Sequence, residues 1–413
     1  MNDTESRPEF PFQLPMFLDG GTGTHLIAAG MPEGVCVEQW VLDNPEVISN
    51  LQRSYVKSGS NAVYAPTFGA NRVKLASFGM ADKVKEINTA LVRLTREAVG
   101  EGVLVGGDIS PTGLFIPPYG DTPFEELVDI YREQATALAE AGVDFIGFET
   151  MLSLWECRAG LLAARDLGLP VFVTITVDGN GRTMMGTNLP TAVVVLQELG
   201  AAAIGINCSE GPVGLAEQFY RAAVCAKVPL IAKPNAGRPD PNDPSRFDLT
   251  VEQFAAGMEQ LAAAGVSIFG GCCGTGPEHI AAIQHLKPGK GSFYDDAVVC
   301  ANEGHLFFLP EEWSGLFPSE PLECSYSLED DLIDMEDERY NCAVVRIESE
   351  DDAMLLSELA GVARLPISIL CDDAAVLETA LRCFHGRAMV DSSSEIDSET
   401  LQSIAARYGA VVY

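Results

Sequence analysis

The sequence predicts an α/β protein: a closed (β/α)8 barrel followed by a smaller C-terminal α/β domain. Three observations lead there. Between Pro15 and about Pro288 one theme recurs eight times: a short apolar run, a Gly-rich or polar corner, then a longer segment with helical spacing. The runs are apolar throughout rather than alternating, as strands covered on both faces are. The stretch they occupy is near the ~250 residues that eight βα units need.

The runs are residues 17–21, 62–68, 103–109, 145–150, 171–177, 203–207, 230–233 and 266–271. Among the intervening segments, 122–141 and 250–264 place apolar residues three and four apart, the pattern of helices covering a sheet. Thr250 with Gln253 three positions on reads as a helix cap. The catalytic face of such a barrel lies where strands end. Asp19-Gly20-Gly21-Thr22-Gly23-Thr24, Asn207-Cys208-Ser209 and the glycine-rich segment from Gly270 to Gly276 all fall at that register.

After Gly289 the texture changes. Residues 304–339 contain Pro310, Pro318, Pro321 and an acidic run from Glu329 to Glu338, read as linker or irregular wrapping. Apolar runs resume at 343–347, 367–370, 388–390 and 410–412, separated by helical stretches 351–360, 374–384 and 398–408. The expected division is therefore a barrel over 1–290, a linker over 291–340, and an α/β domain of about four strands over 341–413.

Composition excludes several classes. A formal net charge of -33, with only 26 basic residues in 413, argues against binding nucleic acid or acidic lipid. No window approaches the ~18 apolar residues of a membrane span. The polar start, Met1 to Pro11, lacks the basic and apolar regions of a secretory signal, so a cytoplasmic protein is expected. Eleven cysteines, odd in number and scattered, read as free thiols, and any cluster of them as a metal or catalytic site.

Cys208 ends the sixth strand, and Cys272 and Cys273 follow the eighth. Strand ends share one mouth, so three sulfurs from two loops can reach one ion, and soft thiolates favour Zn²⁺. Three protein ligands leave an open position, and a thiol bound there is held as thiolate at neutral pH. A zinc loaded with three thiolates suits delivery of a sulfur nucleophile better than hydrolysis. The spacing equally allows Cys208 to be a small buried hydrophobe and Cys272-Cys273 a structural pair. Asp19 and Glu149 end the first and fourth strands and can receive an ammonium group, while Gly20, Gly21, Thr22 and Gly23 can offer amides to a carboxylate. A helix cap for Asp19 and a supporting role for Glu149 stand beside that reading.

Seven segments carry a resemblance: Leu18 to Thr24, Pro66 to Asn71, Gly107 to Gly113, Glu149-Thr150, Gly205 to Ser209, Lys233 to Gly237 and Gly270 to Thr275. In order, over roughly residues 17–286, the chain resembles the homocysteine S-methyltransferase family, above all the homocysteine-binding module of cobalamin-dependent methionine synthases. The resemblance implies a zinc barrel with Cys208, Cys272 and Cys273 as ligands. It implies that Asp19 and Glu149 hold the amino group of homocysteine and that Gly20 and Gly21 lie near its carboxylate, with Thr67 and Asn207 among the substrate contacts. The unusual Ala65-Pro66-Thr67 leaves another thiol acceptor open.

The tail from Leu365-Pro366 resembles the start of a pterin-binding barrel, but Leu370 and Asp391 replace that family's aspartate and asparagine. Folate binding is not expected; stabilisation, dimerisation or recruitment is. For the methyl donor the expectation is a separate methyl-corrinoid protein, the corrinoid being reached only through that partner. Direct use of S-methylmethionine or betaine is the alternative, and a non-catalytic zinc scaffold acting through the acidic tail is a third reading. Homo-oligomerisation is left open.

Overall fold

The computed structural model describes residues 10–241, 243–289, 298–309, 313–335 and 339–413. Most of the polar opening segment and Asp337-Glu338 of the acidic run lie outside them.

Eight parallel strands form the barrel: β1 (Met16–Phe17), β2 (Ala62–Ala65), β3 (Leu104–Ile109), β4 (Phe145–Met151), β5 (Val171–Ile175), β6 (Ala203–Cys208), β7 (Leu230–Pro234) and β8 (Val266–Phe269). They neighbour one another in sequence order, and β8 pairs with β1. Asn61 brings β1 to β2: its N–H donates to Phe17 O at 2.9 Å and its side chain accepts from Phe17 N at 2.8 Å. The first, second, fifth and eighth strands stop earlier than their apolar runs, while the other four end within a residue of theirs. The first ends at Phe17 because the chain beyond turns into the mouth, where the Asp19 carboxylate accepts the N–H of Tyr64 at 2.8 Å.

Alternation decides what faces where. Tyr64, Phe145, Phe172, Ile231 and Ile268 pack together inside the barrel, while Val63, Ile146, Phe148, Val173, Ile204 and Ala232 join the helix-facing core. Phe10 and Phe12 plug the end opposite the mouth, Phe10 stacking on Phe172 and Phe12 edge-on to Phe145. Higher up, the interior is cleared by glycine. A Cβ on Gly106 would meet Phe145 at 2.5 Å and Tyr64 at 2.9 Å, and one on Gly147 would meet Tyr64 at 2.4 Å. Those two bare positions let the Tyr64 ring lie across the barrel as a floor.

The main helices after strands one to eight are α1 (Pro45–Lys57), α2 (Val84–Val99), α3 (Phe124–Ala141), α4 (Leu154–Ala164), α5 (Leu189–Glu198), α6 (Ala216–Ala223), α7 (Val251–Ala263) and α8 (Pro277–Ala282). The Thr250–Gln253 capping box opens α7 as its sequence implies. Every residue of α4 is buried, and nearly every one of α5, because the C-terminal unit covers their outer faces. A helix buried all round needs such a cover.

That unit is a five-stranded parallel sheet in sequence order, one strand more than expected. Leu322–Glu323, inside the stretch read as linker, pairs with Val345 and Arg346 and precedes strands Ala343–Arg346, Ile367–Leu370, Met389–Val390 and Val411–Val412. A short helix, Leu328–Asp334, also lies in that stretch. Arg158 of α4, 1% exposed, fastens the two units by donating to Leu381 O at 2.8 Å and Gly386 O at 3.1 Å. Arg382 forks onto Glu125 at the start of α3. Among the described residues no helix is long and apolar enough to cross a membrane.

Candidate active site

The sulfurs of Cys208, Cys272 and Cys273 lie within 4.8 Å of one another, all half-buried, and no fourth His, Cys, Asp or Glu joins the group among the described residues. Cys272 and Cys273 Sγ are 4.0 Å apart. Tetrahedral zinc with Zn–S near ~2.3 Å needs sulfurs about 3.8 Å apart, so the spacing fits.

Local backbone makes this convergence. Cys208 and Ser209 sit at φ 52° and 62°, and Thr150, after Glu149, at 64°. Such left-handed conformations are uncommon for residues with a side chain and concentrate at functional sites. On the other loop Gly274, at φ 76°, supplies the turn after the cysteine pair, and Gly271 leaves room for Thr275, whose Oγ1 would lie 2.2 Å from a Cβ there. Asn235 ties the loops together: its Oδ1 accepts from Cys273 N at 3.0 Å and its Nδ2 donates to Ser209 O at 2.6 Å.

The three thiols compete for charge. Hydrogen bonds from Cys272 and Cys273 hold Cys208 far below the ordinary thiol range, and that thiolate in turn pushes Cys272 and Cys273 up. Three neighbouring thiolates need a cation to coexist, and a soft divalent ion suits three sulfurs. The donor set therefore fits zinc, with one coordination position left to a ligand.

Beside the sulfurs, inside the barrel, lies a buried charge cluster. Lys233 Nζ donates to Glu149 Oε1 and Oε2 at 2.7 and 3.0 Å and stands 3.5 Å from Asp19 Oδ1. It rests 4.2 Å above the centre of the Tyr64 ring, a cation–π contact. Burial pushes Glu149 up to about 7, against the pull of Lys233, and raises Asp19 in the same way. Burial opposes the charge on Lys233, but Glu149 and then Asp19 outweigh it and leave the lysine above its usual range.

The residues singled out from sequence fall into two groups. Asp19 and Glu149 meet across Lys233, close to the sulfurs. Asn207, fully buried, works mainly on the scaffold: its Oδ1 accepts from Thr150 N at 2.7 Å and Thr174 Oγ1 at 2.9 Å, and its Nδ2 donates to Thr150 Oγ1 and reaches within 4.0 Å of Cys272 Sγ. Thr67, also fully buried, bonds the backbone of Asp108, donating to its carbonyl at 2.8 Å and accepting from its N–H at 3.0 Å. The amide of Gly21 is taken by Thr275, and a Cβ on Gly20 would meet Tyr55 at 2.8 Å. Sequence reasoning gave no role to Lys233 or Asn235. The available signal was a lysine at an inward position of a buried strand, a place lysine occupies only when paired.

Residues 16–286 match the homocysteine S-methyltransferase family. The chain is 28% identical over 445 residues to methionine synthase of Mycobacterium tuberculosis, covering 97% of this chain and 37% of that protein. It is 28% identical over 319 residues to methionine synthase of Mycobacterium leprae, covering 72% of this chain and 26% of that one. The chain thus spans well under half the length of these relatives. Among solved structures it is similar to the metallated form of the homocysteine methyltransferase MmuM from Escherichia coli, with a TM-score of 0.56 and 25% identity, covering 65% of this chain and 95% of that one. This similarity corrects the expectation of a methyl-corrinoid partner protein, and of a corrinoid as cofactor. A chain matched over nearly its whole length by a share of this one about as large as the barrel is itself a named homocysteine methyltransferase, and the corrinoid reading is withdrawn.

Proposed function

Because the chain belongs to the homocysteine S-methyltransferase family, we propose that it transfers a methyl group directly from a small onium donor, S-methylmethionine or betaine, to the sulfur of homocysteine. The observation that carries this reading is the meeting of three cysteine sulfurs within 4.8 Å beside a buried cluster rich in carboxylates. Cys208, Cys272 and Cys273 would hold zinc. Zinc bound by three thiolates lowers the pKa of an added thiol, which makes the substrate sulfur a nucleophile at neutral pH.

The chain's own residues do the rest. Glu149 and Asp19 draw the substrate's ammonium toward the barrel axis and so orient the sulfur toward the three cysteines. Asn207 and Asn235 fix the backbone from which the sulfurs project. With the nucleophile already charged, catalysis consists mainly of alignment: the sulfur attacks the methyl carbon in line as the bond to the donor heteroatom breaks. The thiol proton passes to solvent as the thiolate forms, and the donor leaves as methionine or dimethylglycine.

Catalysis belongs in this reading to residues 1–290, and the C-terminal unit, whose sheet runs from Leu322–Glu323 to Val411–Val412, acts as a stabilising cover, in keeping with the Arg158 contacts. A cytoplasmic setting agrees with all eleven cysteines being free. Zinc-loaded protein with homocysteine should form methionine with one of the two donors, and Cys272→Ser should abolish both zinc retention and turnover. Failure of the wild type with both donors, at one zinc per chain, would overturn the proposal.

A further inference from the structure

The two carboxylates assigned to the substrate's ammonium are largely engaged. Both oxygens of Glu149 accept from Lys233, one oxygen of Asp19 faces that lysine at 3.5 Å, and the other accepts the N–H of Tyr64. An incoming ammonium brings three N–H donors and needs acceptors that the resident lysine leaves available.

Asp108 offers one. It lies two positions beyond Gly106 on β3, and is paired with Gly147, itself two before Glu149 on β4, so Asp108 and Glu149 follow the two interior glycines on neighbouring strands. Its Oδ1 is buried and has no hydrogen-bond partner among the described residues. The hydroxyl of Tyr64, a residue 5% exposed, is likewise buried, makes no hydrogen bond of good geometry and lies beside Glu149, and the ring of that residue is the floor under Lys233. Thr67 clamps the Asp108 backbone from both sides, so the carboxylate is held in place without any bond of its own there. Glu149, Lys233 and Asp19 all act electrostatically on Asp108, which puts it in the same cluster. An orphaned carboxylate oxygen with a hydroxyl near it that can donate or accept describes a seat prepared for a polar ligand group.

We propose that Asp108 is a specificity-determining residue that completes a three-carboxylate seat for the α-ammonium of the substrate, so that the enzyme selects α-amino thiols over thiols lacking the amino group. The inference rests on the homocysteine reading of the site. Its test compares homocysteine with 4-mercaptobutanoate, the same chain without the amino group, in wild type and Asp108→Asn. The variant should raise KM for homocysteine about 10- to 100-fold, the loss of one charge-assisted hydrogen bond. Its kcat at saturation should stay within about threefold, since the bond is made equally in ground and transition states. Turnover of 4-mercaptobutanoate and zinc content should not change.

An unchanged KM for homocysteine, or equal losses with both thiols, would overturn the proposal. Thiol binding read from the charge-transfer band of cobalt-substituted protein supplies an independent measurement. There the wild type should bind homocysteine more tightly than 4-mercaptobutanoate and Asp108→Ser should lose that preference; equal affinity of the wild type for both thiols overturns the seat even if neither variant folds. A wild type that binds homocysteine selectively on cobalt yet forms no methionine rejects the methyltransfer reading and leaves the seat standing.

Discussion

Replacing Lys233 by methionine keeps an apolar stem above Tyr64 and removes the buried cation of the cluster. Asp19, Glu149 and Lys233 have side chains only 4–7% exposed, so the carboxylates left behind have little water to turn to. Removing one partner of a buried pair costs ~3–5 kcal/mol, and we expect K233M to fall in that range at pH 8. The loss should shrink on acidification. Glu149 already stands near 7 in the intact cluster, above its ordinary 4.5. A raised carboxyl pKa means that the fold holds the proton more tightly than the unfolded chain, so stability falls as pH rises through that window. Without the lysine the window extends upward, and K233M should lose up to about 1.4 kcal/mol more than the wild type for each pH unit and each carboxyl concerned. Urea midpoints of both proteins at pH 6 and pH 8 measure this directly. The same deficit at both pH values, or a deficit under about 1 kcal/mol, would refute the view of Lys233 as the counter-ion of this cluster.

Two further outcomes concern the join between the units. Arg158→Met leaves the carbonyls of Leu381 and Gly386 without their charged donor and should cost about 3 kcal/mol, with faster proteolysis between barrel and C-terminal sheet; unchanged cleavage would contradict the fastening role. His385, buried against Trp155, is driven down to about 3 by burial first and Arg158 second. Its depressed pKa means that the unfolded chain takes up the proton first, so its contribution is complete above 6.5 and drains away toward pH 3, at ~1.4 kcal/mol per unit. A His385→Phe variant should therefore show a shallower decline of Tm than the wild type between pH 6.5 and 4, and identical slopes would count against it.

The barrel was legible because its strands are covered on both faces, which writes eight apolar runs into the chain, and because local devices such as the Thr250–Gln253 box act over three residues. The meeting of the three sulfurs was legible at the level of topology, since strand ends of one barrel share one mouth. What escaped depends on direction and distance. Lys233 stands in Leu-Ile-Ala-Lys-Pro with nothing nearby to name its partners, which lie 84 residues or more earlier in the chain. The left-handed backbone at Thr150, Cys208 and Ser209 has no signal, because residues other than glycine adopt it only where tertiary contacts hold them there. The fifth C-terminal strand, Leu322–Glu323, lies between prolines and an acidic run and exists because the edge at Val345 offers it a ladder. The corrinoid reading failed for a different reason: donor chemistry is decided by what approaches the mouth, and the segments of resemblance describe only the acceptor side.

The bare positions Gly106 and Gly147 tie the history of this enzyme to one tyrosine. A methyl group at 147 would drive into the ring of Tyr64, and a smaller residue at 64 would admit the methyl but take away the aromatic surface on which Lys233 rests. None of these sites can drift alone. A laboratory search for variants accepting other thiols should therefore randomise 64, 106, 147 and 233 together, because single-site libraries would find each position apparently immutable.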